Sequence, residues 1–171
     1  MKECLIVIDM QNDFITGSLG SIEAETIVPK VKARIEEAIN KNEDIYFTKD
    51  THLEPYEKTR EGQYLPIKHC MEGTKGHDIC DELKPYEKNA KKIIIKYTFG
   101  STELPTYLKE YDKITFVGLC TDICVVSNVL LTKAFYPEKP IVVEKDLCAG
   151  TSIENHQSAL NVMKSCHIDI I

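Results

Sequence analysis

The chain has 171 residues, 21 Lys and Arg against 27 Asp and Glu, and a formal net charge of −6. Apolar residues make up 43% and charged residues 28%, an ordinary globular balance, in a length that fits one domain over residues 1–171. The acidic balance excludes a dedicated nucleic-acid binder, which would carry a basic patch; the apolar runs Leu5–Ile8 and Ile93–Ile95 are far short of the ~20 residues of a membrane helix.

Met1–Lys2–Glu3 runs into a strand-like segment without signal-peptide flanks, so a cytoplasmic location is expected. The seven cysteines include no C-x-x-C pair and read as free thiols.

Residues 4–9 (CLIVID) form a buried-strand pattern. Residues 26–41 carry Ile27, Val31, Ile35, Ala38 and Ile39 at helical spacing, with Pro29 expected in the first turn. Residues 44–49 (DIYFTK), 92–96 (KIIIK) and 113–118 (KITFVG) read as three further strands. Residues 121–136 read as an apolar helix stopped by Pro137, and 140–145 (PIVVEK) as a fifth strand. Residues 153–165 place Ala159, Leu160 and Met163 on one side of a last helix, and 167–171 close the chain as a strand. Strands alternating with helices predict an α/β fold, three-layered α/β/α, with a mostly parallel six-stranded sheet. The segment 50–79 lacks clear periodicity, and a segment of that length in a small domain is usually functional.

Open parallel sheets bind ligands beyond the carboxyl ends of their strands. Asp9 ends the first strand, Lys96 the third, and Gly118–Leu119–Cys120 the fourth, with Cys124 in the turn that follows. A helix start and a nearby lysine both favour a thiolate. A carboxylate can take the thiol proton and return it to a leaving amine. Backbone N–H groups around Cys120–Cys124 can hold an oxyanion. Each residue also has a plainer reading: Asp9 as a loop anchor, Lys96 as a surface lysine, Cys124 as a small core residue.

A second group is Asp50, His52, Glu61 and His69. In extended backbone residues i and i+2 point the same way, so Asp50 and His52 can share one ion, with His69 and Glu61 returning from the loop. Imidazole and carboxylate suit zinc, manganese or iron. The alternative is that the histidines are exposed loop residues.

The stretches LIVIDMQNDF (5–14), FTKDTH (47–52), LPIKHCMEGTKG (65–76), Lys96, VGLCTDICV (117–125) and DLCAGTS (146–152) resemble the isochorismatase-like cysteine hydrolases, and within them the nicotinamidases. The resemblance implies a triad of Asp9, Lys96 and Cys124, a cis peptide between Leu119 and Cys120, and a divalent ion on Asp50, His52 and His69. Glu61 is the candidate fourth ligand, and zinc the first choice of metal. It implies hydrolysis of nicotinamide to nicotinate and ammonia through a Cys124 thioester, with the metal orienting the substrate. The chain has no Trp, so Phe14, Tyr64 or Tyr97 would meet the pyridine ring. Asp13 is read as bonding across the loop, Cys4, Cys80, Cys148 and Cys166 as packed thiols, and Cys70, beside the candidate ligand His69, as pointing its side chain away. The resemblance also implies a homo-oligomer, dimer or tetramer. Two other functions stay open: hydrolysis of another small amide, carbamoyl compound or ester, and a non-catalytic binding or thiol-redox module using Cys120 and Cys124.

Overall fold

The computed structural model describes residues 1–171. Six strands form one sheet: β1 (Glu3–Ile8), β2 (Asp44–Asp50), β3 (Ala90–Lys96), β4 (Lys113–Leu119), β5 (Ile141–Ala149) and β6 (Asp169–Ile170). Their order is β3-β2-β1-β4-β5-β6, and every pairing is parallel. The helices are α1 (Asn12–Ile15), α2 (Ile22–Lys41), α3 (Arg60–Tyr64), α4 (Val126–Phe135) and α5 (Ile153–Ser165).

The strands are apolar on both sides because both faces of the sheet are covered. On β1, Cys4, Ile6 and Ile8 face one core with Val129 of α4 and Leu160 and Met163 of α5. Leu5 and Val7 alternate to the other face, where Val31, Ile35 and Ala38 of α2 cover them. The result is the expected three-layer α/β/α architecture.

Several boundaries differ from the sequence reading. The helix expected from residue 26 begins at Ile22, because Ser21 caps it by accepting the Ala24 N–H. Pro29 is therefore inside the helix rather than in its first turn. The pattern missed that turn because Ile22 is exposed and Glu23 and Glu25 are acidic. β5 runs on to Ala149 through the polar stretch Glu144–Asp146, which hides the strand from a hydrophobicity reading. A register shift between Phe116 and Gly118 accommodates it. The helix after β4 opens as a π-helical turn, Thr121–Val125, before the regular α4. Cys166 is exposed rather than packed, whereas Cys4, Cys70, Cys80 and Cys148 are buried.

The topology fixes where a ligand can sit. The strand order reverses between β1 and β4, and the loops leaving those two strands diverge to opposite faces. The crevice beyond their carboxyl ends is the usual binding place of such a sheet.

Candidate active site

Four neighbouring strands deliver reactive groups to that crevice. Asp9 follows β1 with φ +47°, a left-handed conformation, and is fully buried. Asp50 and Lys96 are the last residues of β2 and β3 and are register partners. After β4 the Leu119–Cys120 peptide bond is cis, and the π-helical turn then carries Cys124. Gly118 has φ +119°, and a Cβ there would stand 2.2 Å from the Ile8 carbonyl oxygen. Only glycine lets β4 pass β1 this closely at the point where both strands end.

Lys96 is the hub. Its Nζ lies 2.6 Å from Asp9 Oδ2 and 3.5 Å from Cys124 Sγ. It also donates to Asp50 Oδ1 at 3.1 Å and to the Thr98 carbonyl at 3.2 Å. Asp9, Lys96 and Cys124 are all at most 5% exposed, so their charges act in a poorly solvated space. Burial pushes the Asp9 carboxyl up, with the Lys96 charge working against it. Burial pulls the lysine down, but Asp9, Cys124 and Asp50 outweigh this and hold it well above its ordinary value. Burial and the neighbouring Asp9 push the Cys124 thiol well up. Asp9 Oδ2, Lys96 Nζ and Cys124 Sγ thus form one buried chain of close contacts.

The segment after β2 folds back on itself. The His52 N–H donates to the Cys70 carbonyl at 3.0 Å and the Glu72 N–H to the His52 carbonyl at 2.9 Å, which brings His69 beside His52. Thr59 caps α3 by accepting the Gly62 N–H, and that helix presents Glu61. Asp50, His52, Glu61 and His69 then offer one ligand atom each, all within 4.8 Å of one another. Asp50 Oδ2 is 2.9 Å from His52 Nε2, and Glu61 Oε1 is 3.2 Å from His69 Nε2. His69 Nδ1 bonds the Ile67 carbonyl at 2.8 Å, which turns its Nε2 toward the cluster. Two imidazoles and two carboxylates at this spacing fit a divalent transition ion such as zinc.

A cavity of about 430 Å³ joins the two groups, with Cys120, Cys124, Asp50, Glu61 and His69 in its wall. Phe14 lines it as the sequence suggested. Tyr64 and Tyr97 do not. They are 73% and 58% exposed and line a neighbouring outer cavity. Phe99 faces both cavities and stands where an aromatic was expected. Asn128 fixes it there: its Nδ2 donates to the Phe99 and Cys124 carbonyls, and its Oδ1 accepts the Ser101 N–H. Gln11 grips Asp50 from behind, accepting its N–H at 2.7 Å and donating to its carbonyl at 2.8 Å. Thr48 holds Asp9, donating to Oδ1 at 2.6 Å. Asp13 accepts the Cys70 N–H at 2.8 Å, a bond across the loop as anticipated. Gln11 and Thr48 lie within the stretches LIVIDMQNDF and FTKDTH without a role assigned from them, and Asn128 and Phe99 carry no sequence signal beyond residue type.

Comparison with known proteins agrees with this architecture. The isochorismatase domain model matches residues 3–171. An uncharacterized isochorismatase family protein PncA of Bacillus subtilis is 30% identical, over 94% of this chain and 93% of its own. The crystal structure of nicotinamidase/pyrazinamidase PncA from Bacillus subtilis superposes with a TM-score of 0.85 at 26% identity, covering 99% of both chains. That of the pyrazinamidase of Pyrococcus horikoshii in complex with zinc gives 0.82 at 29% identity, covering 100% of this chain and 99% of the other. The chain belongs to the isochorismatase family, with the all-parallel α/β fold of those two structures. No helix is long and apolar enough to cross a membrane.

Proposed function

We propose that the protein is a cysteine amidohydrolase that cleaves nicotinamide to nicotinate and ammonia. The observation that carries this reading is Lys96 Nζ, standing between Asp9 Oδ2 at 2.6 Å and Cys124 Sγ at 3.5 Å, with Cys124 in the wall of the cavity. The relatives named as nicotinamidases and pyrazinamidases supply the substrate class.

In this reading Asp9 takes the Cys124 thiol proton as the sulfur attacks the carboxamide carbon. Lys96 stays protonated and offsets the charge passing between thiol and carboxylate. The N–H groups of Cys120 and Cys124 receive the oxyanion of the tetrahedral adduct. Asp9 then gives its proton to the departing nitrogen, and ammonia leaves an acyl thioester on Cys124. Asp9 next accepts a proton from water as its oxygen attacks the thioester. As the adduct collapses the carbon–sulfur bond breaks, the carboxylic acid leaves, and Asp9 returns its proton to the Cys124 sulfur.

Asp50, His52, Glu61 and His69 would hold a divalent ion, zinc by donor type. Bound there, the ion would supply a Lewis-acidic contact for a pyridine nitrogen. Phe14 and Phe99 line the same cavity as Cys124 and would flank the ring.

Ammonia release from nicotinamide tests the proposal, run on the protein as isolated, after chelation, and with Cys124→Ala. Release that both treatments abolish supports the reading. A zinc-loaded wild type that releases none overturns the nicotinamide assignment and leaves other small amides and carbamoyl compounds to be assayed.

A further inference from the structure

The carboxylate assigned as proton acceptor has two oxygens in unlike surroundings. Asp9 Oδ2 pairs with the Lys96 ammonium at 2.6 Å, and that same ammonium lies 3.5 Å from Cys124 Sγ. Asp9 Oδ1 accepts the Thr48 hydroxyl at 2.6 Å. The same hydroxyl oxygen accepts the Asp9 N–H at 3.2 Å. A threonine hydroxyl has one proton to donate. With that proton on Oδ1, its oxygen is left to receive the backbone N–H, so both contacts are satisfied together. Thr48 is fully buried, and nothing else competes for the group. It clamps both ends of a residue whose backbone is in the left-handed region.

We infer that Thr48 is a positioning residue for the reaction: its hydroxyl occupies Asp9 Oδ1 and so reserves Oδ2 as the atom that takes and returns the proton. The inference rests on the reading of Asp9 as the base. When the thiol proton arrives at Oδ2, Oδ1 becomes the carbonyl oxygen of a carboxylic acid. It still accepts the Thr48 hydroxyl, so the clamp holds unchanged in both protonation states. Without it the carboxylate plane is free to turn part-way about the Cβ–Cγ bond, so that neither oxygen stays aimed at Lys96 and the sulfur beside it. Thr48 acts through Asp9 and does not line the cavity that holds Cys124. Its removal should therefore slow the chemical steps and leave substrate affinity alone.

The test compares Thr48→Val, Thr48→Ala and Thr48→Ser with Asp9→Asn. Two quantities are read: kcat and KM for nicotinamide, and the site-resolved rate of Cys124 alkylation by iodoacetamide. Thr48→Val and Thr48→Ala are expected to lower kcat about 10- to 100-fold, the scale of a misplaced reacting group, with KM little changed. Alkylation of Cys124 should slow in parallel. Thr48→Ser, which keeps the hydroxyl, should recover most of both rates. Thr48→Ala serves if the valine methyl disturbs folding. Wild-type kcat in either hydroxyl-less variant, or a serine variant as slow as alanine, overturns the role of Thr48. Unchanged Cys124 alkylation in Asp9→Asn overturns instead the reading of Asp9 as the base.

Discussion

Asp50 connects the two halves of the site: its Oδ1 accepts from Lys96 Nζ at 3.1 Å while its Oδ2 lies 2.9 Å from His52 Nε2. One buried carboxylate therefore touches both Lys96 and the group formed with His52, Glu61 and His69. Asp50→Asn keeps the shape and removes the charge. It is expected to lose at least about tenfold in metal affinity, the lower scale for disturbed ligand shells. Its kcat is expected to stay low at saturating zinc, because Lys96 loses a counter-charge. Metal titration and ammonia release on the same preparation separate the effects. Full recovery of kcat with added zinc would show that Asp50 acts on the metal alone.

Lys96 is 3% exposed and faces two carboxylates that are themselves 0% and 2% exposed. Lys96→Met strands those charges. Breaking a buried pair from one side costs about 3–5 kcal/mol, so urea unfolding of Lys96→Met should show a loss on that scale. Cys124→Ala removes the nucleophile without stranding a charge and should unfold close to the wild type while losing activity by at least about 10³-fold.

A second buried ion pair lies far from the chemistry. Arg34 on α2 donates to Glu43 and to Glu144 of β5, both at 2.8 Å, with the side chains of Arg34 and Glu43 under 10% exposed. It ties the long helix to the strand that extends beyond its sequence boundary. Arg34→Ala should destabilise the fold by about 3–5 kcal/mol while kcat at low temperature stays near wild type. Thermal unfolding and activity assays on one sample check both halves of the statement.

The aromatic residues around the site divide by cavity. Phe99→Ala should raise KM for nicotinamide, since Phe99 lines the cavity that holds Cys124. Tyr97→Ala should leave KM nearly unchanged, because Tyr97 lines the outer one. Steady-state kinetics of the two variants decide this, and equal effects would contradict the division.

Buried thiols make stability fall at alkaline pH. Burial pushes Cys80 up to about 11 and Cys148 up to about 12 from an ordinary 9.0. Above pH 9 the unfolded chain sheds these protons and the folded chain keeps them. The unfolded state then binds fewer protons, so stability drops as pH rises from about 9 toward the folded-state values. Each such thiol contributes up to ~1.4 kcal/mol per pH unit in that window. The urea midpoint should decline between pH 9 and 10.5, and Cys148→Ala should decline less steeply. An equal slope in the variant would count against the assignment.

Local pattern alone determined a good deal of this protein. Apolar β-branched runs alternating with helical periodicity gave the parallel α/β fold, because strand and helix periods are properties of neighbouring residues. The strand-end positions of Asp9 and Lys96, and the place of Cys124 in the turn after the fourth strand, were legible for the same reason. Element ends were less so: the exposed, acidic first turn of α2 and the polar end of β5 hid a helical turn and a strand extension. Only the tertiary structure decided which atoms meet. Thr48 reaches Asp9 across 39 residues of chain because β1 and β2 pair in one register, Val7 opposite Phe47. A one-residue slip would turn its hydroxyl to the other face of the sheet. Gln11 and Asn128 bond to main-chain groups, which every residue carries and no motif marks. Phe99 lines the cavity where Tyr97 does not because Asn128 holds its carbonyl, a contact between segments that the sequence leaves 29 residues apart.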